Sequence, residues 1–231
     1  MSDSVPVPAP ASDRAPGAVV PPLPSPTAQA ERLVELGVHE IAGLGADAVR
    51  DFARSAEDAG RENVLLAVHP DRAPASALAP LLRRDGRPGF VVVDMTDVDL
   101  FAPADAVTDL PDAPLYLVDR PDRGDEMANW SPDEALSALV GRGRTPLLLT
   151  EGLHWVLQQP AALERNHCFM TIGSRLRRAN GSLDARTPAI WISNGTGRDG
   201  RERRGAAKIG WCWAGNRHTW LGFGSAAGRV R

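Results

Sequence analysis

The sequence predicts an α+β protein: helices near the N-terminus, short buried strands in the middle, and an antiparallel, hairpin-bearing sheet at the C-terminus. Three observations carry this. Apolar residues at helical spacing sit mainly in the first part of the globular region. Short apolar runs (VLLAV, FVVV, PLYLV) follow them. From Cys168 onward the chain is a succession of strand-like segments.

Residues 1–26 hold eight of the 20 prolines among Ala, Ser and Val. Proline fixes φ and removes a backbone donor, so this stretch reads as a disordered tail. Residues 27–231 read as a single α+β domain. Leu33, Val34, Leu36, Val38, Ile41 and Leu44 suit a short amphipathic helix with a turn at Gly37. Val49, Phe52, Ala53 and Ala56 mark a second helix over 46–59, stopped by Gly60. Residues 64–68, 90–93 and 114–118 are the apolar runs, read as buried strands, with a short helix over 77–83. Ser131-Pro132-Asp133-Glu134 supplies an N-cap, a proline at the first helical position and early acids. Another helix opens at Thr150 and ends before Pro160. Residues 168–174, 188–193, 209–213 and 218–223 read as strands, and the Gly/Arg loop 194–205 reads as mobile.

Composition excludes several classes. Net charge is −3 with a pI near 6.0, so no nucleic-acid partner is expected. Mean hydropathy is −0.22 and no apolar run approaches the roughly 18 residues of a membrane span, so no membrane partner is expected either. No secretory pattern is visible, which makes the cytoplasm the default compartment. Two cysteines give no disulfide framework, and Lys208 is the one lysine. Cofactor and oligomeric state have no signature.

The segments GWCWAGNRHTWLG (210–222), LLLTEGLHWVLQQP (147–160), NHCFMTIGSR (166–175), AIWIS (189–193) and YLVDRPDRGDE (116–126) together resemble an actinobacterial family of domains of unknown function. The similarity runs from about residue 27 to the end, and 195–205 looks like an insertion relative to that pattern. The resemblance implies a cytoplasmic bacterial protein and brings no activity, cofactor or catalytic residue.

The C-terminal motif supplies the main candidate site. With Gly215-Asn216 as a primed turn, Trp213 faces His218, Trp211 faces Trp220, and all four side chains share one face. That face either stacks a flat or cationic small-molecule ligand or roofs the core. Arg175, after Gly173-Ser174, is a further ligand-binding candidate because its fork suits a phosphate or carboxylate. An enzyme reading uses His218 with Cys168 or Glu151 as acid/base or nucleophile, although Glu151 also suits a helix N-terminus. A third reading is a protein-interaction module. His167, Cys168, Cys212 and His218 are zinc-type ligands at poor spacing, so no metal is assigned. Asp94, Asp97 and Asp99, with Asp119, Asp122, Asp125 and Glu126, suit solvated loops better than a cation site. Gly195-x-Gly197-x-x-Gly200 follows a strand, but no apolar helix follows it, so it is not a dinucleotide fingerprint.

Overall fold

The computed structural model describes residues 20–231. The tail expected over 1–26 lies outside the described residues up to position 19, but its last part belongs to the domain. Val20 and Leu23 pack beside Leu147, Trp155 and Ala162. The Pro21 and Pro22 carbonyls accept from the Gln159 amide. Ser25 caps helix α1 (Pro26–Glu35), whose first residue is Pro26. Proline is at home there, because a first helical turn leaves its N–H groups unpaired anyway. Composition alone mistakes this Ser-Pro start for the end of a tail.

Gly37, at φ +72, separates α1 from α2 (Val38–Ile41), and α3 (Ala46–Asp58) follows with Val49, Ala53 and Ala56 inward, as expected. Strand β1 (Val64–Val68) is buried along its whole length. Its outer edge is closed by a side chain: Gln29 of α1 donates to Val64 O (2.7 Å) and accepts from Leu66 N (2.8 Å). Buried backbone groups need such partners, and a fully buried amide can supply both. Next come α4 (Ala75–Leu78), a hairpin of β2 (Arg83–Arg84) and β3 (Arg87–Pro88), β4 (Phe90–Val91), β5 (Ala102–Pro103) and β6 (Leu115–Asp119). The Asp85-Gly86 turn of that hairpin takes positive φ at both residues.

Helix α5 (Pro132–Gly141) opens with the expected Ser131, which forms a capping box with Glu134. After β7 (Thr145–Pro146) comes α6 (Leu149–Gln158), buried nearly end to end. The remaining strands are β8 (Cys168–Met170), β9 (Ser174–Arg175), β10 (Arg186–Ile192), β11 (Ala207–Trp213), β12 (Leu221–Phe223), β13 (Ser225–Ala226) and β14 (Gly228–Val230). The main sheet has five strands in the order β12-β8-β10-β11-β4, and a smaller one has the order β1-β6-β14.

Residue parity divides the main sheet. Ile190, Ile192 and Ile209 face the core shared with the N-terminal helices and α6. Cys168, Met170, Ala189, Leu221 and Phe223 face the other way, toward Met127 and α5. Each fully buried aliphatic side chain here contributes about 1.5–3 kcal/mol. Gly152 lets α6 lie close to the sheet, since a Cβ there would meet Thr171 Cγ2 at 2.7 Å and Ile190 Cδ1 at 3.0 Å.

Two local expectations are corrected. The hairpin joining Trp211–Trp213 to His218–Trp220 does not form. Strand β11 pairs antiparallel with β10 along Ala207–Trp213 and parallel with β4 at Lys208 and Ile209. Strand β12 instead pairs parallel with β8. Gly215 and Asn216 both lack the positive φ that a primed turn requires. The strand expected over 218–223 is confined to Leu221–Phe223. The loop 194–205 carries two 3-10 turns (Gly197–Asp199 and Arg201–Arg203). It is fixed at Asp199, which accepts from Ser193 Oγ (2.7 Å) and Lys208 Nζ (2.8 Å).

Candidate functional site

A cavity of about 470 Å³ opens on the α5 side of the main sheet, where β8, β10, β11 and the segment before β12 meet. Trp191, Trp211 and Trp220 border it with His218, and Ala189, Ile192 and Leu221 supply aliphatic surface. Asn166, Asn194, His167, Cys168 and Cys212 complete the lining.

Each wall has a local cause. The Trp191 ring lies over Gly210, where a Cβ would stand 2.5 Å from Trp191 Cη2. Lys208 Nζ sits 5.0 Å from the centroid of that ring. His218 and Trp220 stack with centroids 4.5 Å apart and planes 17° apart. Trp220 is 49% exposed, so this stack stands at the mouth and leaves surface for a partner. Strand β8 holds the Trp220 backbone in place, because Cys168 N donates to Trp220 O (2.8 Å).

Below the cavity, His167 Nε2 lies 2.7 Å from Asp125 Oδ1. Buried Arg123 donates from Nε to Asp125 (2.8 Å) and from Nη1 to Ala162 O (3.2 Å). Burial opposes ionisation of Asp125, but His167 and Arg123 outweigh it and hold the carboxyl well below the usual range. Gly222 leaves room for this group, since its Cβ would meet Arg123 O at 2.6 Å and both His167 Nε2 and Asp125 Oδ1 at 3.1 Å.

The fold thus gathers Trp211, His218, Trp220, His167, Cys168 and Cys212 around one cavity, by a different route from the expected hairpin. Trp213 stays outside it, 47% exposed and edge-on to Trp211 at 4.6 Å. Arg175 is also elsewhere: it is buried beside the β5–β9 pair, and its Nη2 donates to Asp184 O (3.0 Å). Glu151 is not an acid/base group of this site. It is fully buried and accepts from Tyr116 Oη (2.8 Å), Leu148 N (2.7 Å), Arg229 Nε (2.6 Å) and Arg229 Nη2 (2.7 Å). Every lone pair is committed to structure. The Cys168 thiol is pushed up strongly by burial, and Cys212 less so, which is the opposite of an activated nucleophile. Both cysteines are free, and β10 lies between the strands that carry them.

Among the described residues, no group of three or more His, Cys, Asp or Glu side chains converges as a metal set. The acidic stretch disperses onto separate partners: Asp97 to Arg186, Asp99 to Ser76, Asp94 to Arg198, and Glu126 to Arg142. No helix among the described residues is long and apolar enough to cross a membrane. Trp191, Asn166 and Asn194 were not anticipated. Trp191 had a usable signal, since strand alternation places it on the face of Ala189, but bare Gly210 beneath it becomes visible only through the β10–β11 register.

Residues 32–231 match a family described as a family of unknown function, DUF5701. The chain belongs to that family. No curated protein and no solved structure matches it. For this DUF5701 chain the resemblance to a family of unknown function therefore holds, and the case for a site rests on the cavity itself.

Proposed function

We propose that this DUF5701 protein binds a small molecule with a flat ring system in the aromatic cavity. One observation carries the reading: Trp191 and the His218–Trp220 stack border a space of about 470 Å³, with Trp211 also among its lining residues, and no Asp, Glu, Lys or Arg is among the described lining residues. An uncharged, aromatic wall favours stacking, and a few polar groups then orient the ligand. Asn166 and Asn194 offer amide donors and acceptors for ring-edge atoms. The net charge of −3 supports a small-molecule partner over a nucleic acid. Two free thiols support a cytoplasmic setting.

The test is titration of the full chain with a panel of flat heterocycles, read by tryptophan fluorescence and repeated with Trp220→Ala. The reading expects saturable quenching, with affinity lost in the variant while the unfolding midpoint changes little. Saturable binding that Trp220→Ala leaves intact would contradict it, as would no binding across the panel.

A further inference from the structure

Building on the cavity reading above, we propose that the loop Gly195–Gly205 is the phosphate-holding part of the same site. The ligand is then a phosphorylated flat heterocycle of the nucleotide kind. No Asp, Glu, Lys or Arg is among the described lining residues, so a phosphate on the ligand finds its arginine partners outside the cavity. Asn194 lines the cavity, and the loop begins at the next residue. A second link runs through Lys208, which sits over the Trp191 ring of the cavity and holds Asp199 of the loop.

The loop has the backbone for this task. In Gly195-Thr196-Gly197-Arg198-Asp199-Gly200 the three glycines take φ of +67, +57 and +75. Glycine adopts such values at little cost, and turns of this kind leave some backbone amides free for an anion. Among the described residues no acceptor takes the Gly197 or Arg198 amide. The sequence argument against this motif was the missing helix after it. The structure supplies a different context: the loop joins antiparallel β10 to β11. A glycine-rich loop between two strands covers phosphates in another way, without a helix dipole.

Charge points the same way. Positions 195–205 carry Arg198, Arg201, Arg203 and Arg204 against Asp199 and Glu202, in a chain of net charge −3. Arg201 and Arg204 are exposed and pair with no carboxylate among the described residues. Arg198 meets Asp94 only at 3.6 Å, with both groups largely in solvent. Asp199, the buried acid of the loop, is spent on Lys208 and Ser193 and does not neutralise these arginines. Guanidinium forks suit phosphate oxygens, and unpaired ones in a loop that starts beside a stacking cavity select a ring that carries an anion.

The experiment is calorimetric titration of the full chain with adenosine, guanosine, cytidine and uridine, with their 5′-monophosphates, and with inorganic phosphate. It is repeated with the Arg201→Gln/Arg204→Gln double variant, whose exposed positions should leave the melting midpoint unchanged. The proposal expects at least one monophosphate to bind roughly tenfold or more tightly than its nucleoside, as charge-assisted hydrogen bonds imply. The double variant should erase that advantage and leave nucleoside affinity as it was. Equal affinity for nucleoside and monophosphate, or an advantage that survives the double variant, overturns the loop assignment and leaves the cavity reading standing. Inorganic phosphate binding as tightly as the nucleotides overturns the link between ring and anion. No binding of any nucleoside or nucleotide overturns the proposal, while the heterocycle panel still reports on the cavity separately.

Discussion

Replacing Glu151 by Gln changes one oxygen to an amide and removes one charge, at a position with no solvent exposure. Oε2 accepts from Leu148 N and Arg229 Nη2, and Oε1 accepts from Tyr116 Oη and Arg229 Nε. All four facing groups are donors, so an NH2 group placed on either side confronts two of them. Arg229, itself buried, keeps only Asp109 (2.7 Å) as a carboxylate partner. Burial works against the Arg229 charge, while Glu151 and Asp109 raise its pKa; a guanidinium stays protonated in proteins, so loss of Glu151 leaves a buried cation. Breaking one side of a buried pair costs about 3–5 kcal/mol, a large part of the roughly 5–15 kcal/mol that holds a domain together. With a urea slope of about 2–3 kcal/mol/M, the midpoint should fall by about 1–2 M. The assay is equilibrium urea unfolding of the wild type, Glu151→Gln, Arg229→Met, and the double variant Glu151→Leu/Arg229→Met. The double variant should cost much less than the sum of the single losses, because it leaves no orphaned charge. A Glu151→Gln loss below about 1 kcal/mol would refute the reasoning and return Glu151 to the list of functional candidates.

Four further outcomes follow from the same geometry. Gly222→Ala should lower the melting midpoint and weaken ring binding together, because its Cβ would press on Arg123 O, Asp125 and His167; a binding isotherm unchanged from wild type would argue against that coupling. His154 is buried, with Nδ1 on Thr150 O and Nε2 accepting from Val68 N, and burial pushes its pKa down. The unfolded chain therefore takes up this proton first. The stability held by neutral His154 is present above its unfolded value of about 6.5 and lost as pH falls below it. Unfolding measured from pH 8 to 5 should show this slope, and His154→Gln should flatten it. Asp184, held down to about 2 first of all by its hydrogen bond with Arg186, adds stability above its ordinary value that is lost as pH falls toward 2. Thiol titration without reductant should count both cysteines after denaturation and find Cys168 slow to react in the native protein, since its thiol is buried and hard to ionise. Fast labelling of native Cys168 would contradict its placement.

What the sequence makes legible is local. VLLAV and PLYLV stand out because β1 and β6 are buried on both faces, so no alternation is needed to find them. Ser131 to Glu134 spells out a helix start that the structure builds in full. One misreading, the Ser25-Pro26 helix start, is local, and the others are long-range. The role of Glu151 depends on Arg229, 78 residues away. The partner of β12 is β8 rather than the nearer β11, a pairing between segments far apart in the chain. Arg175 follows Gly-Ser as a phosphate-binding arginine would, yet its neighbours are Asp184 and the β5–β9 pair. The candidate site lies between these cases. His167, Cys168, Cys212, Trp211, His218 and Trp220 do border one cavity, because the pairing of β12, β8, β10 and β11 in one sheet brings their segments together. Their arrangement was out of reach, since it depends on strand order.

The central claim, that the aromatic cavity takes a flat ring, is tested most directly by the six indole N–H resonances of the full chain. On titration with a binding heterocycle, the signals of Trp191, Trp211 and Trp220 should shift together and saturate, while Trp130 and Trp155 stay in place. Trp155 is enclosed beneath α6 and Trp130 packs toward α5, so neither borders the cavity. Shifts confined to Trp213, or a ligand that binds without moving the Trp191 and Trp220 signals, would contradict the claim.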